Sequence, residues 1–155
     1  MQVLNDIRDG GLAIKRKGAD SFSLFKHNPG DPHSLAHNNI SDIIQDQHGN
    51  YWISTIGGGL DKLDKNNLSH PVFEHYNSLN SSLTSDDIHD IALDSARNAL
   101  WICSGSHINT LDFAFGIIQF VLIVYTFVGI PGIFQVDDVH AVSKIGRASC
   151  RERVY

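Results

Sequence analysis

Three features of the sequence predict an all-β fold. Short segments are rich in Ile, Val, Trp, Tyr and Phe; clusters of Gly, Asn, Asp, Ser and Pro separate them; and the chain resembles itself at one constant offset. At that offset of 48 lie Phe25 and Phe73, His27 and His75, Leu35 and Leu83, Ile40 and Ile88, Asp42 and Asp90, Ile43 and Ile91, Asp46 and Asp94, Leu60 and Ile108, Leu63 and Leu111, and Asp64 and Asp112. Trp52 pairs with Trp101 at 49, which one extra residue in the turn 95–99 explains. Upstream, Gly10-Gly11-Leu12 precedes Gly58-Gly59-Leu60 by the same offset of 48, and downstream Asp137-Asp138-Val139-His140 echoes Asp86-Asp87-Ile88-His89 at 51.

Each repeat reads as strands and turns and needs no helix. Residues 40–45, 51–55, 60–64 and 72–76 are expected as four strands, with a tight hairpin turn at His48-Gly49-Asn50. Residues 88–93, 100–104 and 108–112 repeat the first three. A four-stranded unit of about 40 to 50 residues is the size of a propeller blade, which buries both sheet faces only when neighbours flank it. The expected architecture is therefore a partial β-propeller of about two four-stranded antiparallel blades with incomplete flanking blades. Residues 1–36 are an incomplete preceding blade and linker, 37–84 a blade with its linker, and 85–135 a second blade with an atypical apolar end; 136–143 begin a third. Two blades do not close a ring, because propellers need roughly four to eight.

Charge and cysteine usage narrow the function. The net charge is -5 and the basic residues are scattered or in short runs, so no broad basic face exists to neutralise phosphates, and nucleic acid is excluded as a partner. Cys103 and Cys150 form neither a disulfide framework nor a metal-type spacing. Residues 1–10 lack the basic start and apolar core of a secretory signal, so an export signal is expected in a longer parent chain.

The residue types that carry chemistry are absorbed by the repeat. Nine histidines invite a metal hypothesis, but His27 and His75 share one repeat position and His89 and His140 another, which places them around a ring and not around one ion. His33 and His37 have helical spacing, yet Pro32 and the nearby Asn and Ser make a loop. Asp86, Asp87 and Asp90 lack calcium-loop spacing and read as turn and strand-edge acids. Trp52 and Trp101 sit identically in Trp-Ile strands, the pattern of core packing between blades and not of sugar stacking. Gly57 to Gly59 follow a strand, but no helix or Lys-Ser/Thr follows them, so they form a turn and not a phosphate loop. No catalytic, cofactor-binding or metal-ligating residue is assigned, no cofactor is expected, and the ligand-binding residues are unknown.

The run Asp46-Gln47-His48-Gly49-Asn50-Tyr51-Trp52-Ile53-Ser54-Thr55, continuing through Gly57-Gly58-Gly59-Leu60, resembles the two-component regulator propeller repeat. So does the preceding linker, Phe25 to Asn28, then Pro29-Gly30-Asp31-Pro32-His33-Ser34-Leu35 and Asn38-Asn39-Ile40. The resemblance covers roughly Gly10 to Asp112. The second repeat departs from it, with Arg97 in place of Gly49 and Ser106-His107 where two glycines are usual. The resemblance implies a fragment of the periplasmic sensor region of a hybrid histidine kinase anchored in the inner membrane. Its implied partners are a small carbohydrate ligand and further propeller blades of the parent chain, with the membrane touched only through parent segments. It implies no enzyme in this chain; kinase activity would belong to the parent. The alternatives are a lyase or hydrolase fragment on a propeller fold, which needs a pocket of unique polar residues breaking the repeat, and a membrane-anchored segment.

The last alternative rests on residues 113–134, which carry no charge and are long enough to cross a bilayer as a helix. Against it stand Gly129, Pro131 and Gly132 near one end, flanks without close Lys or Arg, and the repeat motif resuming at Asp137. The expected reading is the last strand of the second blade and a linker. Residues 144–155 do not continue the repeat, resemble translated sequencing-adapter DNA, and are expected to be a non-native tail.

Overall fold

The computed structural model describes residues 2–5, 10–15 and 18–121, and in them every regular element is a strand. Strands β1 (Gln2–Asn5), β2 (Leu12–Lys15) and β3 (Ser23–Phe25) form a three-stranded sheet. Strands β4 (Ile40–Gln45), β5 (Tyr51–Thr55), β6 (Gly59–Leu63) and β7 (Phe73–Tyr76) form a four-stranded sheet in chain order, and so do β8 (Ile88–Asp94), β9 (Ala99–Ser104), β10 (His107–Asp112) and β11 (Ile117–Val121). All neighbours are antiparallel. The fold is all-β, a segment of propeller with blades stacked face to face.

Period-2 side chains explain the stacking, because each strand sends alternate residues to opposite faces. From β5, Tyr51 and Ile53 join Leu12, Ile14, Leu63 and Phe73 between the first two sheets, while Trp52 joins Leu60, Ile91, Leu100 and Ile102 between the second and third. Trp52 and Trp101 are both buried, at 3% and 4% exposure. They occupy the same register, Trp52 opposite Ile44 and Trp101 opposite Ala92.

The extra residue in the second repeat lies in the first hairpin. The backbone N–H of Asp46 donates to Asn50 O, and Gly49 turns the chain at φ 89°. In the third sheet Asp94 pairs with Ala99, and the left-handed position falls to Asn98, at φ 52°. Arg97 therefore does not replace Gly49. Asn98 does, and asparagine tolerates that backbone better than other non-glycine residues.

The fourth strands correct the repeat alignment further. Gly11 and Gly59 are equivalent, since their N–H groups donate to Asn38 O and Asp86 O, acceptors that are themselves related by the repeat offset. Leu12 faces Phe25 as Leu60 faces Tyr76, so Phe25 corresponds to Tyr76 and not to Phe73. By the same registers His75 corresponds to Leu24 and not to His27. Loops 16–22, 64–72 and 113–116 differ in length, so a constant offset cannot survive across them.

Residues 113–116 form a turn and 117–121 pair with β10 as β11, so the first part of the stretch considered as a membrane helix is a hairpin. Among the described residues no helix is long and apolar enough to cross a membrane. The rest of that stretch, the third-blade start at 136–143 and the tail 144–155 lie outside the described residues.

Candidate functional site

The site with the most unusual chemistry sits where the 26–37 linker crosses β6 and β7. In β6, Gly59-Leu60-Asp61-Lys62-Leu63, alternation directs Asp61 into the interior, and it is fully buried. Its cross-strand partner is His75. The same cross-strand position holds Ala13 and Leu24 in the first sheet, and Asn109 and Phe120 in the third. The acid and imidazole therefore occur together in only one of the three sheets.

Asp61 Oδ2 accepts the Ala36 N–H at 2.8 Å, and Asp61 Oδ1 lies 2.6 Å from His75 Nδ1. The other ring nitrogen, His75 Nε2, lies 2.9 Å from Pro32 O. Burial pushes the Asp61 carboxyl up, opposed by the bonds from His75 and Ala36. The hydrogen bond to Asp61 raises His75 above the ordinary imidazole range. Both shifts run upward, that of Asp61 through burial and that of His75 through its hydrogen bond to the carboxylate. His27, which bonds Leu35 O through Nδ1 at 2.8 Å, adds positive charge near Asp61 when protonated.

A second feature is a cleft of about 130 Å³ between the second and third sheets, lined by Asp46, Trp52, Lys62, Tyr76 and Phe113. Trp52 stacks on Phe113 at 5.4 Å and tilts against Tyr76 at 5.7 Å, with Lys62 Nζ 5.7 Å above its ring. Its polar groups are engaged within the chain. Asp46 Oδ2 accepts the Trp52 indole N–H at 3.0 Å, while Lys62 and Tyr76 both bond Glu74. The arrangement is a packing seam, and the Asp-to-indole bond recurs between Asp94 and Trp101 at 3.2 Å. Burial raises both carboxyls, but the hydrogen bonds from the indoles and neighbouring groups outweigh it and hold both below the usual range.

The remaining candidate residues are placed as follows. His33 and His37 lie in a loop, with His37 Nδ1 accepting the Asn39 N–H at 3.1 Å. Asp86 serves the turns: its carboxylate accepts from Ser78, and its carbonyl accepts from Gly57 and Gly59. Among the described residues no three His, Cys, Asp or Glu side chains gather as a metal site.

Two groups at equivalent repeat positions do meet. Asp42 and Asp90 face one another across β4 and β8, where burial first, and then Asp90, raises Asp42. The first strands of adjacent sheets touch, so equivalent side chains on them come within reach.

Sequence reasoning missed the Asp61–His75 pair. The signal was present in β6, where an acid occupies an inward position that is Ala13 in the preceding repeat and Asn109 in the next.

Stacked antiparallel blades of this kind define a β-propeller segment. Residues 34–57, the linker end, β4, β5 and the following turn, match the family model described as two component regulator propeller. No curated protein matches the chain. Among solved structures the chain is similar to the extracellular domain assigned to the hybrid two component system BT3049 of B. thetaiotaomicron. The TM-score is 0.61 at 22% identity, over 74% of this chain and 16% of that one. The chain thus spans a small part of the length of the structure it matches.

Proposed function

We propose that this chain is part of an extracytoplasmic ligand-sensing propeller of a two-component receptor, placed in the periplasm by a membrane-anchored parent and completed by further blades. The observation that carries the reading is the coincidence of the two component regulator propeller match with one linker-plus-hairpin unit whose geometry recurs in the next sheet. The likeness to the extracellular domain of a hybrid two component system supports it.

The ligand is a small carbohydrate, held by loops of the complete propeller. That part rests on analogy with the family and on no pocket of this chain. The chain itself carries no catalysis in this reading; phosphotransfer belongs to the parent.

Sequencing the genomic locus on both sides of residues 1–143 tests the assignment. Further repeats followed by a membrane span and a histidine kinase are expected, and an open reading frame without them overturns it. Calorimetric titration of the complete ectodomain with defined oligosaccharides tests the ligand class. Saturable binding is expected, and its absence across a broad glycan panel removes the carbohydrate assignment while leaving the receptor assignment intact.

A further inference from the structure

We propose that Asp61 and His75 form a pH-operated clip, which holds the 26–37 linker on β6 and β7 while the imidazole is doubly protonated. The inference is independent of the sensor reading and rests on hydrogen-bond inventory. His75 presents Nδ1 to a carboxylate at 2.6 Å and Nε2 to a backbone carbonyl at 2.9 Å. Both partners are acceptors, whereas a neutral imidazole has one N–H. With Asp61 ionised, only the imidazolium satisfies the two contacts together.

Loss of the proton has a defined consequence. The carboxylate is the stronger acceptor, so Nδ1 keeps its hydrogen and Nε2 turns a lone pair toward the lone pairs of Pro32 O. The contact that fails is therefore the one to the linker. Ala36 N–H to Asp61 and Phe73 N–H to His33 O flank it and remain, with the buried Leu35 side chain, to hold the linker. His75 is 24% exposed and can exchange its proton with solvent, while Asp61 is sealed beneath it.

The titratable groups around the ring are few. Asp61 faces it from β6, and His27 faces Asp61 from the linker. Glu74 and Lys62 pair with each other from the alternate positions of β7 and β6. The third sheet shows what a pH-independent version looks like. There the linker hydroxyl of Thr84 donates to Asn109 Oδ1 at 2.9 Å, and Asn109 Nδ2 donates to Ser82 O at 3.1 Å. Thr84 and Asn109 follow Ala36 and Asp61 at the repeat offset.

The test is NMR on the chain with ¹⁵N-labelled histidine, from about pH 5 to about pH 9, reading ring-nitrogen shifts and amide exchange together. His75 is expected to show two protonated ring nitrogens beyond the ordinary imidazole midpoint. As it titrates, the protection factor of the Ala36 amide should fall about tenfold, the scale of one charged hydrogen bond, while Ile102 in β9 stays level. In the A36T/D61N double variant, which installs the residues of the third sheet, Ala36's successor should keep pH-independent protection. H75Q should likewise lose the pH dependence and serves if the double variant does not fold. A His75 that is neutral at or below the ordinary imidazole midpoint overturns the proposal, as does Ala36 protection that is unchanged through the titration.

Discussion

The two linkers that lead into the four-stranded sheets do the same mechanical job with different chemistry. The first is held by a buried carboxylate and an imidazole, the second by an amide at the place of the carboxylate and a hydroxyl carried by the linker itself. The difference shows that these two sheets share the place of a polar anchor and not its charge. In both four-stranded sheets a buried acceptor stands where the linker crosses the inward strand position, taking the Ala36 N–H on Asp61 and the Thr84 hydroxyl on Asn109. Charge at that acceptor is free to vary, and it decides whether pH acts on the linker.

Removing the acceptor should separate the two blades most strongly. Asp61→Ala strands the Ala36 N–H and leaves the His75 imidazole without its carboxylate, and is expected to cost about 3 kcal/mol, at the lower end for a broken buried pair because His75 is partly solvated. Asn109→Ala leaves only neutral groups unpaired and should cost about 1.5 kcal/mol. Equal losses in urea denaturation would mean that charge plays no part in the difference.

The turn before the third strand sharpens the comparison next. A Cβ at Gly59 would collide with the Tyr76 carbonyl oxygen, and φ there is +82°, so Gly59→Ala should cost about 2 kcal/mol. Its counterpart His107 already carries a side chain, and His107→Ala should stay within about 0.5 kcal/mol. Similar midpoints for both variants in a thermal melt would contradict the steric requirement at Gly59.

Stability against pH should show one limb common to both blades and one specific to the first. Asp46 and Asp94 are held below their ordinary values, so the stability they contribute is present above the unfolded carboxyl range and lost as pH falls through their folded pKa values. His75 is raised, so its contribution is complete below the unfolded imidazole pKa and lost as pH rises through the folded one. Asp61, raised by burial, has the same sign. Asp61→Asn should shrink the alkaline loss and leave the acid limb in place, measured by denaturant midpoints across pH. The smallest effect belongs to Leu79, almost wholly exposed in the second linker, where Leu79→Ser should change stability by less than about 0.5 kcal/mol.

The recurrence of Trp-Ile strands, turn residues and apolar alternation was enough to determine the all-β class, the strand positions and the burial of both tryptophans. These are local or periodic properties, and residues 40–45 and 51–55 coincide with β4 and β5. Sequence offsets failed where loops vary. Phe25 and His27 aligned with Phe73 and His75 only because the 16–22 and 64–72 loops differ in length. Which residues face one another across strands is a matter of register, and register is set by hydrogen-bonded pairing between segments distant in the chain. Tertiary structure therefore decided that Asp61 meets His75, that Asn98 takes the left-handed turn position, and that Asp42 meets Asp90 across two blades.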